Sequence, residues 1–132
     1  MAMRNPYQTY KQNSVETASP GELTLMLFNG CLKFIKQAKQ DIDNQNIEGK
    51  HTNIIKAENI IHELMVTLNM DIPVAKDMLK MYDYMNRRLV EANITNDISI
   101  LDEVEVYATE FRDTWKEVIQ QVRQQKYQGG NV

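Results

Sequence analysis

Histidine, cysteine and paired acids do most of the metal and nucleophilic chemistry available to a small protein. This sequence has few of them. Glu48 and His51 form one Glu-x-x-His pair. The other histidine, His62, lies roughly three turns, about 16 Å, further along the same segment. A di-metal carboxylate bundle needs such a pair from each of two helices, and two more inward carboxylates. One metal cannot bridge His51 and His62. Glu58 and His62 have the spacing of an exposed helix-surface pair. Both histidines fall near the edge of a polar face, where phosphotransfer would require them, but no pattern around either supports that chemistry. Cys31 sits among Phe28, Leu32, Phe34 and Ile35, the setting of a buried and unreactive thiol. Ser19 has a helix to cap. Asp41 and Asp43, two residues apart on a helix, point in different directions. Gly21, Gly30 and Gly49 are isolated, so no glycine-rich phosphate loop is present. The expectation is a protein with no catalytic residues, no metal and no cofactor.

The elements that carry these residues are helical. The chain has 132 residues, enough for one domain with a single core. Apolar residues make up 42% and charged residues 25%, with only 3 prolines and 5 glycines. That balance is globular and favours long helices. The net charge of −3 and the absence of a basic block give no footprint for nucleic acid. No apolar run approaches the roughly 18 residues of a membrane span. Met1 to Tyr10 has no signal-type apolar stretch, so a cytoplasmic location is expected.

Ser19-Pro20-Gly21-Glu22 has the form of a capping box with proline at the first helical position. Leu25, Phe28, Leu32, Ile35 and Ile42 follow at helical spacing and end near 44–46. A second helix is predicted from about Glu48 to Asn69. Asp71 and Pro73 are expected to start a third, which ends near Asn93. Asp97 caps a fourth, whose Leu101, Val104, Ala108, Phe111, Trp115, Val118 and Val122 alternate steps of three and four, as in a coiled-coil-like seam. Short links make consecutive helices antiparallel. The fold class is therefore all-α, an antiparallel up-down-up-down four-helix bundle with a short mobile N-terminal segment. Residues 1–18 form that segment, partly mobile and packing on or near a groove. The bundle spans 19–125, and 126–132 is a tail expected to fray.

A bundle helix needs an apolar arc of a little over about 100°. Leu23, Leu27 and Phe34 widen the arc of the first helix to roughly 200°, and Val74, Met81 and Met85 widen the third to roughly 180°. Ile55 and Val66 lie off the main face of the second. Flexible methionines such as Met78, Met81 and Met85 suit a surface that receives a partner helix. Tyr7 and Tyr10 form a spaced aromatic pair ahead of that surface. The expected partner-binding residues are Tyr7, Tyr10, Leu23, Leu27, Phe34, Ile55, Val66, Val74, Met81 and Met85.

The chain also resembles a known family over nearly its whole length. The front end reads Tyr7-x-x-Tyr10, Val15, Thr17-Ala18-Ser19-Pro20 and Glu22-Leu23. Leu27-Phe28-Asn29-Gly30 and Ala38 follow, then Ala57, Ile60-Ile61, Leu64 and Leu68. Leu79, Tyr82, Leu89, Ala92-Asn93, Asp97, Leu101, Val104 and Trp115 complete the series. In this order and spacing they resemble the flagellar secretion chaperone family, FliS. The sequence departs from it at the link Asn69-Met70-Asp71-Ile72-Pro73, where many members have a glycine-containing turn, and at Thr114, where many have alanine. The resemblance implies a cytoplasmic, non-enzymatic chaperone that binds the disordered C-terminal segment of flagellin. It implies that this prevents premature polymerisation and assists delivery to the flagellar type III export gate. Further flagellar regulatory proteins are additional candidate partners. The alternative is a regulatory helical-bundle adaptor for another flagellar protein. Neither nucleic-acid binding nor membrane insertion is expected.

Overall fold

The computed structural model describes residues 20–129, with side chains for 21–124. Tyr7, Tyr10, the Ser19 cap and the proposed N-terminal segment lie outside them. Four helices follow in order: α1 Pro20–Asp43, α2 Ile47–Thr67, α3 Ala75–Thr95 and α4 Ile98–Gly129. No strand is found among the described residues.

The turns explain where each helix stops. After α1, Gln45 takes a left-handed φ of 58° and Asn46 N–H donates to the Asp41 carbonyl at 2.8 Å. Asn46 then caps α2, its Oδ1 accepting from Gly49 N–H at 3.0 Å. Gly49 lies inside α2. A Cβ there would sit 2.5 Å from Asn46 Nδ2, so the cap needs a residue without one. Asp41 is buried and accepts from Asn53 Nδ2 at 2.7 Å, which locks the α1–α2 hairpin. Asp41 is thus a structural carboxylate.

The second link differs from expectation. Asp71 does not cap α3, whose N-cap is Val74 with no side-chain hydrogen bond. Asn69 organises the link instead, its Oδ1 accepting from Asp71 N–H at 3.0 Å and its carbonyl from Ile72 N–H at 3.2 Å. This Asx turn leaves Pro73 in the turn ahead of the helix. Between α3 and α4, Asn96 adopts φ 56° and closes α3 through Ala92 O at 2.8 Å. Asp97 then caps α4, accepting from Ser99 N–H at 2.9 Å.

The helices form a ring in which α1 packs on α2 and α4, and α3 packs on α2 and α4. Each neighbouring pair is antiparallel. Lys39, late in α1, pairs with Asp102 and Glu105, early in α4. Trp115 Nε1–H, far along α4, donates to the Gly21 carbonyl at the start of α1 at 2.8 Å. Lys50, early in α2, reaches the Asn93 carbonyl late in α3 at 2.6 Å. Arg88 and Tyr84 of α3 share Glu103 of α4.

The core is contiguous and draws on all four helices, with Ile35, Ile54, Ile61, Leu89 and Leu101 fully enclosed. Side chains of this kind contribute about 1.5–3 kcal/mol each when fully buried. At one level Phe28, Tyr82 and Phe111 meet across the ring, with centroids 5.6–6.4 Å apart. Burial there pushes the Tyr82 hydroxyl up to about 12.

Candidate partner-binding surface

Two of the expected binding residues belong to the core. Leu27 is 5% exposed and Met85 is 0% exposed, so both side chains pack inside the bundle. The reason is geometric. In a closed ring each helix has two neighbours, so an arc well beyond about 100° is consumed within the monomer. Leu23 and Met81 are half-buried. Phe34 is half-buried against the core, with the Lys56 and Lys33 ammonium groups 5.3 Å and 5.7 Å from its ring centroid. Val118 and Val122, expected in the seam of α4, are exposed.

Most of the apolar side chains left exposed among the described residues lie on the α2–α3 side, while Val106, Val118 and Val122 are exposed on α4. Ile55 and Val66 are exposed on one stripe of α2, three turns apart. Near the α2–α3 link, Val66, Met70, Ile72 and Val74 stand out together in sequence and exposure, Val66 at 81%. At the opposite end, Ile47 and Ile55 of α2 face Val90 and Ile94 of α3 across a groove of about 410 Å³. Ile94 is 78% exposed. Of the expected residues, the structure therefore places Ile55, Val66 and Val74 on one side of the bundle. Sequence reasoning missed Ile47, Val90 and Ile94. The signal was present, because Val90 and Ile94 are an i,i+4 pair off the core face of α3.

The groove has a polar floor. Lys50 is 4% exposed and borders it together with Asn93. Its ammonium donates to the Asn93 carbonyl, and the Asn93 side chain meets His51 Nδ1 at 2.9 Å. Glu58 also lines the groove. Burial raises its carboxyl above the usual range, against the opposing pull of His62 and His51. Among the described residues no three of His, Cys, Asp and Glu gather closely enough to hold a metal ion. Cys31 is enclosed, and burial pushes its thiol up to about 12. No helix among the described residues is long and apolar enough to cross a membrane.

A closed ring of four antiparallel helices with apolar side chains left on its outer side defines the class, a four-helix bundle. The chain belongs to the FliS family, since the family model described as flagellar protein FliS matches residues 3–122. It is 58% identical to the flagellar secretion chaperone FliS of Bacillus subtilis (strain 168), over 100% of this chain and 99% of that one. It is 37% identical to the FliS of Escherichia coli (strain K12), over 83% of this chain and 86% of that one. A solved structure described as a flagellar chaperone from bacteria shares the fold. It has a TM-score of 0.74 and 19% identity, covering 87% of this chain and 95% of that one. The role is that of a flagellar export chaperone, with flagellar proteins as partners.

Proposed function

We propose that this chain is a cytoplasmic chaperone that holds the C-terminal segment of flagellin, prevents its premature polymerisation and helps present it to the flagellar type III export gate. The observation that supports this most is the pair of apolar patches on one side of α2 and α3. One lies around Ile55, Val90 and Ile94, the other around Val66 and Val74. Ile55 and Val66 are roughly 16 Å apart along α2. A client helix of about three turns spans that distance and can place apolar residues on both patches.

The client is disordered when free in this reading, and becomes helical as it binds. Ordering it costs about 2–5 kcal/mol or more, which burial of apolar area over several contacts must exceed. Affinity is thus spread over the surface, and release proceeds by handover to the export machinery. Tyr7 and Tyr10 would meet the client or its groove from the N-terminal side, with Leu23, Phe34 and Met81 as half-buried flanks.

Titrating a peptide from the C-terminal region of flagellin into the protein tests this. Helicity should rise, and a one-to-one complex should form. A peptide that stays disordered and unbound at tens of micromolar would overturn the proposal. A preference for some other flagellar protein would favour the adaptor role.

A further inference from the structure

Lys50 is an unusual side chain to find at the edge of an apolar groove. It is almost fully buried, yet no carboxylate lies within ion-pair distance of it among the described residues. Its one acceptor among the described residues is neutral, the Asn93 carbonyl near the end of α3. An ammonium has three donors, so two remain for other acceptors. A cation out of water with only a neutral acceptor is poorly compensated, and an anion brought to it meets reduced screening. Lys50 also stands in the first turn of α2, whose N-terminal end adds positive potential. Among the described residues the only acid lining the groove is Glu58, two turns further along α2, and the charges acting on it are His62 and His51.

The surroundings are apolar and open. Ile47, Ile55, Val90 and Ile94 form the walls, and the space of about 410 Å³ accommodates a large aliphatic side chain. We infer that this groove is an anchor for an acidic amphipathic helix, which inserts an apolar residue between α2 and α3 and places a carboxylate, one turn away, on the Lys50 ammonium. The occupant is thus a protein segment with an Asp or Glu beside its anchoring apolar residue. A purely apolar or basic segment is disfavoured here. This deepens the proposed chaperone role, and rests on it for the identity of the natural occupant. The chemistry of the groove does not depend on it.

The probe is a synthetic helix of about four turns, with leucines on one face and a glutamate one turn from the central leucine. Its control carries glutamine in place of the glutamate. Binding to the full chain is measured by calorimetry at low and moderate salt. The glutamate helix should bind about ten-fold tighter than its control, the size expected of a hydrogen-bonded charge pair out of water. The preference should vanish in Lys50→Met, persist in Lys50→Arg and weaken with salt. Ile94→Glu, at an exposed wall, should weaken both helices. Equal affinity of the two helices for the unaltered chain overturns the inference. So does failure of both to bind, or a preference that survives Lys50→Met. If Lys50→Met does not fold, the helix pair on the unaltered chain and on Lys50→Arg still decides. Flagellin peptide failing to bind while the glutamate preference holds would remove the flagellin proposal alone.

Discussion

Trp115 Nε1–H donates to the Gly21 carbonyl at 2.8 Å, a hydrogen bond that ties the last helix to the first described turn of the bundle. The indole also packs against the edge of the core. These are two separable contributions, one polar and one apolar. Trp115→Phe keeps most of the packing and loses the donor, which should cost about 1 kcal/mol. Trp115→Ala loses both, but the ring is only half-buried. Its cost should therefore fall below the roughly 3–5 kcal/mol of a fully enclosed aromatic. Urea denaturation of the two variants checks the order and the sizes.

Two glycines in helices should respond to alanine with opposite signs. At Gly21 a Cβ would meet Ile119 Cγ1 at 3.4 Å, an ordinary contact. Gly21→Ala should stabilise the fold by about 0.5 kcal/mol through the unfolded chain. At Gly49 the same atom would collide with the Asn46 side chain and approach Asp41 Cγ at 3.1 Å. Gly49→Ala should displace the α2 cap and cost about 1 kcal/mol. Thermal melts of both variants measure the contrast.

Asp97 gives a pH dependence with a definite sign. The Ser99 hydroxyl and backbone N–H both donate to it, and they hold its carboxyl below the ordinary 3.8. A depressed acid favours the folded state above its unfolded value, and that benefit is lost as pH falls through the folded value. Asp97→Ala should lower the melting temperature by a few degrees at neutral pH. The gap to the unaltered protein should shrink steadily below pH 3.8. A gap that stays constant on acidification would show that the charge contributes nothing.

Cys31 is completely enclosed and its thiol is pushed up to about 12. The thiolate that reacts is therefore almost absent at neutral pH. A disulfide-exchange reagent should label the native protein only as fast as the bundle opens, and label it at once in denaturant. Rapid native labelling would place the residue in a more open setting than the one described.

Surface and core residues should separate cleanly in binding and stability. Val66→Glu alters a side chain that is 81% exposed, so the melt should move by no more than about 0.5 kcal/mol. Binding of the flagellin peptide should weaken about ten-fold or more. Met85→Ala should do the reverse, costing about 2–5 kcal/mol with little direct effect on the peptide.

These contrasts follow how much of the molecule was legible in the sequence. Local signals were faithful. The spacing Leu101, Val104, Ala108 runs along the buried side of α4, and Asp97 caps it. Non-local facts were not legible. Whether Leu27 and Met85 are covered depends on a helix having two neighbours in the ring, which no window of one helix reports. Asp71 and Asn69 are equally good turn residues by type, and only the path of the chain decides which one turns it. Val90 and Ile94 were passed over because a search for the core face discards the opposite one.

The Trp115–Gly21 link also orders events during synthesis. α1 and α2 are adjacent in sequence and can pair as a hairpin, and α3 can join next. The contacts of α1 with α4 bring together nearly opposite ends of the described chain, so the ring closes last. Until Phe111 emerges from the ribosome, Phe28 and Tyr82 lack their third aromatic neighbour. A nascent chain halted before α4 would be the stickiest form of this protein, and would itself need protection until its final helix arrived.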